Sequence, residues 1–347
     1  MAQINKPDEY FNTVLYTGDD SSNRGITGVG FQPDLVWNKA RNQAFNHYLF
    51  DSVRGAGQLI FPNDTAAEQD KSAEFISFDS NGFTVTQNAG SLGINWSSAN
   101  YANWCWLGAN GTASNTDGSI TSTVSANTTS GFSIVSYTGT GANATVGHGL
   151  SSAPKMIIFK NTNSVRDWGV YHGSLSDPDN YLTLNQTYAQ TTGFNFSNNT
   201  APTSSVFSVG TLTNNNGSSE EYIAYCFAEK KGFSKFGSYT GNGSTDGTFV
   251  YTGFKPAFVI VKDYSQLAGW EMADNKRTSS GGNVIDKELK PNDSGAETTN
   301  NYIDFLSNGF KLRNGFGNWN GSGTPYIYMA FAENPLVGTN NIPATAR

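Results

Sequence analysis

Apolar and polar positions along this chain follow one pattern that is written three times. Each passage opens on Tyr-Thr-Gly, at Tyr16, Tyr137 and Tyr239, and runs through a glycine-containing loop to Pro33, Pro154 or Pro256. An apolar run follows and is closed by a lysine: Leu35-Val36-Trp37 before Lys39, Met156-Ile157-Ile158-Phe159 before Lys160, and Phe258-Val259-Ile260-Val261 before Lys262. Each passage ends with an asparagine six positions before a tyrosine (Asn95 and Tyr101, Asn216 and Tyr222, Asn320 and Tyr326), and that tyrosine starts an aromatic strand. The opening Tyr, the Lys and the closing Tyr all shift by 121 residues from the first copy to the second, and by 102, 102 and 104 from the second to the third. A register held over that distance marks internal repetition.

Within a copy the pattern predicts strands. The apolar residues before the opening tyrosine form a first strand. The run after the proline, apolar at consecutive positions, has the signature of a strand buried on both faces. A third strand holds His47-Tyr48-Leu49-Phe50, Trp168-Gly169-Val170-Tyr171 or Trp270-Glu271-Met272, and a fourth ends at Asn63, Asn185 or Asn292. The polar segment Asp64-Thr65-Ala66-Ala67-Glu68 has room for one helical turn. Phe75-Ile76-Ser77-Phe78 and Phe83-Thr84-Val85 flank an Asn-Gly turn, a hairpin signal that recurs around Asn308-Gly309. Short strands with turns at this spacing predict an all-β fold of three tandem homologous β-sandwich, jelly-roll-like domains. The expected boundaries are 1–110, 111–231 (with 111–130 a linker or extra strand), 232–334, and a C-terminal arm, 335–347.

Composition narrows the function classes. Only 14% of residues are charged, against 13% aromatic, and the net charge is −7 with no basic run longer than Lys230-Lys231. That argues against a nucleic-acid partner, which requires clustered Lys and Arg. No apolar run reaches the roughly 20 residues of a membrane span, so no membrane insertion is expected. The first residues lack the apolar core of a signal peptide, which implies synthesis in a cytoplasm and exit by lysis or on a particle.

The residues that could carry chemistry are sparse. His47, His148 and His172 fall in different copies or columns and make no metal-ligand spacing, and no nucleophile or phosphate-loop motif is present. Neither a catalytic residue nor a cofactor is expected, and no metal is assigned; Asp19-Asp20 and Asp177-Pro178-Asp179 read as solvated turns rather than calcium loops. Cys105 and Cys226 share one column, where the third copy has Ala330, and are expected reduced and buried. Asp51-Ser52-Val53-Arg54 recurs as Asp274-Asn275-Lys276-Arg277. Asp51 with Arg54, and Asp274 with Arg277, either brace a turn or clamp sugar hydroxyls. Carboxylates for glycoside hydrolysis could come from Glu68, Asp79 or Glu297, although Glu68 and Glu297 are repeat-equivalent, which favours a structural role. Trp96, Trp319, Phe194 and Phe196 sit on loops off the core pattern and are candidates for stacking on glycan or for an interface.

The combination Y-T-G, G-F-x-P-D-L-V-W-x-K, L-F-D-S-V-R-G, F-D-S-N-G-F and Y-A-x-W-C-W resembles a domain family of virion-associated proteins of tailed phages, especially marine and cyanobacterial ones. The segments 146–150, 222–227 and 234–243 continue the likeness, which covers about residues 14 to 335. The resemblance implies a virion structural protein, tail fibre-like, with no catalytic residue to carry over. It implies other virion proteins as partners, a homo-oligomer with a trimer favoured, and contact with host-surface glycan. Capsid decoration or an adaptor role is the alternative within that class, and a polysaccharide-degrading enzyme the alternative outside it.

Overall fold

Because the run after each proline is apolar at consecutive positions, it can sit only between two layers, and it does. A computed structural model describes residues 3–87 and 92–337 of the protein. It is all-β, with 45% of residues in strands and 3% in helices, arranged in several sheets as in β-sandwiches. In each copy the opening strand pairs with the closing strand, the closing strand with the post-proline strand, and that strand with the third strand, all antiparallel. The strands are Phe11–Thr17, Asn100–Trp106, Leu35–Ala40 and Tyr48–Asp51 in the first copy. They are Phe132–Thr138, Glu221–Ala228, Pro154–Asn161 and Gly169–His172 in the second, and Ser234–Thr240, Pro325–Pro335, Phe254–Asp263 and Trp270–Asp274 in the third. Smaller sheets cover one face, among them the hairpin Phe75–Asp79 with Gly82–Val85 and its counterpart Thr298–Leu306 with Gly309–Leu312.

Alternation along each strand divides the apolar side chains between two cores. Val36, Phe50 and Cys105 point to the covering sheet of the first copy; Val135, Phe159 and Cys226, and Val259, Val261 and Ala330, do the same in the others. The opposite faces of all three main sheets meet in one shared cluster. At its centre Trp106, Phe227 and Phe331, each five residues after its closing tyrosine, touch one another, with ring centroids 6.2, 6.0 and 5.7 Å apart. Three sheets therefore surround a pseudo-threefold axis.

Local structure departs from the expectation at one polar segment. Residues 64–68 form no helical turn; they extend to the next copy, where Glu68 N donates to Thr162 O at 2.8 Å. The short helices are instead Thr213–Asn216 and Gly317–Asn320, directly before closing strands. Segment 111–130 supplies Ala113–Asn115 and Ser122–Asn127, which lengthen the second main sheet. The expected arm begins at Pro335, which still ends the last strand, and its residues 338–347 lie outside the described residues.

Candidate functional surface

The repeat signature is scaffold at every column. Opening and closing tyrosines stack in each copy, with centroids at 4.7, 5.4 and 4.9 Å. The opening hydroxyls donate to Ile94 O, Asn215 O and Trp319 O. The closing hydroxyls accept from Trp96 N, Gly217 N and Gly321 N. Asn95, Asn216 and Asn320, fully buried, tie these loops to the turn after Tyr-Thr-Gly. Asn63, Asn185 and Asn292 accept from the backbone N of His47, Trp168 and Trp270 at 2.8, 2.9 and 2.7 Å.

Other columns join each copy to the next, and the joins close in a ring. Trp168 Nε1 donates to Phe61 O, and Trp270 Nε1 to Thr183 O, both at 2.9 Å. His47 holds that column in the first copy and faces the backbone of Lys290 and Asp293. Its Nε2 makes no hydrogen bond of normal geometry there, while Nδ1 accepts from Trp37 Nε1. Lys160 Nζ donates to Thr65 O and Lys262 Nζ to Thr187 O, each across a seam. Burial brings Lys39, Lys160 and Lys262 down to about 8.

Both proposed sugar clamps lie in these seams rather than in solvent. Asp51 is fully buried; its carboxylate accepts from Arg54 Nε at 2.5 Å, from the Val53 and Arg54 backbone, and from the Tyr225 hydroxyl of the second copy at 2.7 Å. Asp274 accepts from Arg277 Nε at 2.5 Å, from the Lys276 and Arg277 backbone, and from Trp104 Nε1 of the first copy at 3.0 Å. Arg277 is buried too, and Arg54 nearly so. Four acceptor positions are filled in each site, so no carboxylate oxygen is left to bind a hydroxyl. His172 takes this place in the second copy. Its Nδ1 accepts from Ser174 N, so Nε2 carries the proton and donates to Tyr328 O at 3.2 Å; burial lowers its pKa to about 4.

The three candidate carboxylates are likewise engaged. Glu68 bridges Arg54 at 2.9 Å, Glu297 bridges Arg41 at 2.8 Å and Arg277 at 3.3 Å, and Asp79 braces its hairpin through Ser77 and Thr84. Cys105 and Cys226 are free and buried, with their thiols pushed up by burial. Among the described residues no group of three or more His, Cys, Asp or Glu is placed to hold a metal ion, and no helix is long and apolar enough to cross a membrane.

The four aromatic candidates divide in two. Trp319 is 1% exposed, inside Gly317–Asn320, with Nε1 donating to Glu288 Oε2 at 2.5 Å and its ring against Tyr302. Phe196 is 1% exposed between Tyr181 and Phe159. Neither can meet a ligand. Trp96 and Phe194 are 50% and 52% exposed. The register explains the division. Trp319 precedes its buried asparagine, a column that is also buried as Ile94 and Asn215, whereas Trp96 follows its asparagine, where the other copies have Gly217 and Gly321.

Trp96 stacks on Phe45 at 5.3 Å with planes 6° apart, leaving its outer face to solvent. Around it Ser97 N donates to Asp20 Oδ1, Asn42 Nδ2 donates to Ser98 O, and Asn42 Oδ1 accepts from Asn100 N. Phe194 stands beside an amide chain in which Asn195 Nδ2 donates to Asn143 Oδ1 at 2.7 Å and Asn143 Nδ2 to Asn198 Oδ1 at 2.6 Å. Val165, Tyr188, Leu267 and Phe316 are also exposed on loops at this end of the sheets, so six of the eleven exposed large apolar side chains among the described residues are here. Tyr188 and Phe316 were not among the sequence candidates; counted from Asn185 and Asn320, their columns hold Ala66 and Gly295, and Leu212, in other copies. Gln3 and Val337 meet at the other end, joined by a 2.6 Å hydrogen bond, so this loop surface is clear of both.

The chain belongs to the family described as a domain of unknown function, DUF7483, whose sequence model matches residues 6–335 and so spans all three copies. No curated protein and no solved structure matches it.

Proposed function

We propose that this protein is a virion structural protein of a tailed phage, tail-associated, and that it contacts host-surface glycan through the loop end of its sheets. On this reading the three copies are homologous jelly-roll-like sandwiches fused in tandem into an internal ring. The observation that carries the reading is the solvent-facing Trp96–Phe45 stack. The other two copies build the same corner with glycine, so the fold does not require the indole. An indole held flat by a second ring loses little side-chain entropy on meeting a sugar face, and the neighbouring Asp20 and Asn42 supply hydrogen-bonding groups at its rim. The resemblance to virion-associated phage proteins supports the location. Other virion proteins are the expected partners, and homo-oligomers, with a trimer favoured, would present several such sites at once.

The test is adsorption to host cells and retention on host polysaccharide by wild type, Trp96→Ala and Phe194→Ala. Loss in the variants with unchanged melting supports the glycan reading. Unchanged adsorption, with both rings covered in the assembled particle, would leave capsid decoration or an adaptor role. Shortening of the polysaccharide by purified protein would replace binding with catalysis.

A further inference from the structure

Lysines are sparse in this acidic chain, yet Lys155, Lys230, Lys231 and Lys235 line one cleft of about 590 Å³ between the second and third copies. Among the described residues Glu229 is the one carboxylate in the lining, and it bridges Lys235 at 2.8 Å, so the lining carries more positive than negative groups. Lys155 and Lys231 are exposed, whereas Lys230 is 7% exposed and reaches toward Ser152 Oγ at 3.5 Å. Tyr251, 58% exposed, forms an aromatic wall. Gly253, with φ of +82°, turns the chain just beyond it.

The fold does not ask for these residues. Counted from the same signature positions, the seam between the first and second copies carries Asp34 for Lys155, Ala109 and Asn110 for Lys230 and Lys231, Ser133 for Lys235, and Gly149 for Tyr251. There Asp34 is closed in by the Ser52 hydroxyl and by Gly108 N and Asn110 N. One seam is a neutralised joint, and the other is an open cationic cleft with an aromatic wall.

We infer that this cleft binds an acidic saccharide, a sugar unit bearing carboxylate or sulfate. The cleft is larger than a single inorganic anion needs. Lysine stems and the Tyr251 ring give it apolar walls for the face of a sugar ring, while the exposed Lys155 and Lys231 supply ammonium groups for the anionic substituents. The site is separate from the Trp96 surface and stands whether or not that surface binds glycan.

The experiment measures binding of the full chain to dextran sulfate, alginate and neutral dextran at low and high ionic strength. Variants are Lys155→Ala with Lys231→Ala, and Tyr251→Ala. All three positions are exposed, so melting should not change. Wild type should bind the sulfated or the carboxylated polymer at low salt, lose it as salt screens the charges, and ignore neutral dextran. Preference between the two acidic polymers identifies the anionic group. Each lysine removed should weaken binding roughly two- to fivefold, and loss of Tyr251 roughly two- to tenfold. No binding at low salt, or equal binding by the variants, would overturn the assignment. So would equal binding of a double-stranded DNA fragment, which would show a general polyanion surface instead.

Discussion

The Tyr225 hydroxyl donates to Asp51 Oδ2 at 2.7 Å, although the two residues are 174 positions apart and belong to different copies. The equivalent join between the third and first copies is made by Trp104 Nε1 and Asp274 Oδ2 at 3.0 Å. Both carboxylates are fully buried, so each donor removed leaves a desolvated charge one hydrogen bond short. Tyr225→Phe keeps the ring and removes only that donor. It should lower unfolding free energy by roughly 1–3 kcal/mol, measured as a shift in denaturant midpoint at unchanged slope. Trp104→Phe loses volume besides its donor and should cost at least as much. A Tyr225→Phe midpoint equal to wild type would mean that the seam does not depend on this bond.

Lys160 tests the seams through pH. Its Nζ donates to Thr65 O at 2.9 Å across the seam and to Arg166 O at 2.7 Å within its own copy. Burial lowers its pKa from 10.5 to about 8. The folded state therefore releases this proton at a lower pH than the unfolded chain does. Between about pH 8 and 10.5 the unfolded chain binds more protons, and this group's contribution to stability rises with pH. Lys160→Met removes both donors and the titration. The variant should be less stable at pH 7 by roughly 1–3 kcal/mol, and the gap should widen from pH 8 to 10. A gap that narrows over that range would show that Lys160 is not held as described.

Much of the fold was legible because the repeat sets each side chain beside its equivalents. Consecutive apolar residues at 156–159 and 258–261 implied a strand between two layers, and the Asn-Gly turns implied hairpins; both are present. The identity of the second layer was not legible. Alternation shows that Trp37 and Trp104 are covered, but not that the cover is another copy of the same sheet. For the same reason the choice between turn brace and sugar clamp stayed open for Asp51–Arg54 and Asp274–Arg277: their further partners Tyr225 and Trp104 lie in other copies. The burial of Trp319 was readable in principle, because Ile94 in its column is a core residue type. What sets Trp96 and the lysine cleft apart is departure from the shared columns.

Glu271 gives a prediction of opposite pH sign to Lys160. It is fully buried, and its pKa is raised well above 4.5 by burial first and by neighbouring Glu288 second, with Lys290 at 3.6 Å opposing. Asn318 Nδ2 donates to its Oε1 at 2.6 Å, and Oε2 accepts no hydrogen bond. A raised carboxyl pKa stabilises the fold most at low pH. As pH climbs above 4.5 the unfolded chain gives up its proton first, and stability falls until the folded pKa is passed. Glu271→Gln keeps the acceptor for Asn318 and supplies a fixed N–H in place of the proton. It should flatten the pH dependence of the denaturant midpoint, matching wild type near pH 4.5 and equalling or exceeding it at pH 8. A variant that loses stability as pH rises just as wild type does would rule out Glu271 as the titrating group.

Trp96 and Trp319 should separate cleanly when each is replaced by alanine. Trp319 is enclosed and hydrogen-bonded to Glu288, so Trp319→Ala opens a cavity and strands a buried carboxylate. The expected cost is roughly 3–5 kcal/mol, with lowered yield of folded protein. Trp96 is half exposed and touches mainly Phe45, and the second and third copies place glycine there without loss of the corner. Trp96→Ala should therefore change stability by about 1 kcal/mol or less. Thermal and denaturant unfolding of the two variants side by side check the contrast. Comparable losses from both would mean that the Trp96–Phe45 stack holds the first copy together, and the reason for assigning that indole to a ligand would disappear. A silent Trp96→Ala together with a crippled Trp319→Ala leaves the exposed ring available for binding and confines the buried one to the core.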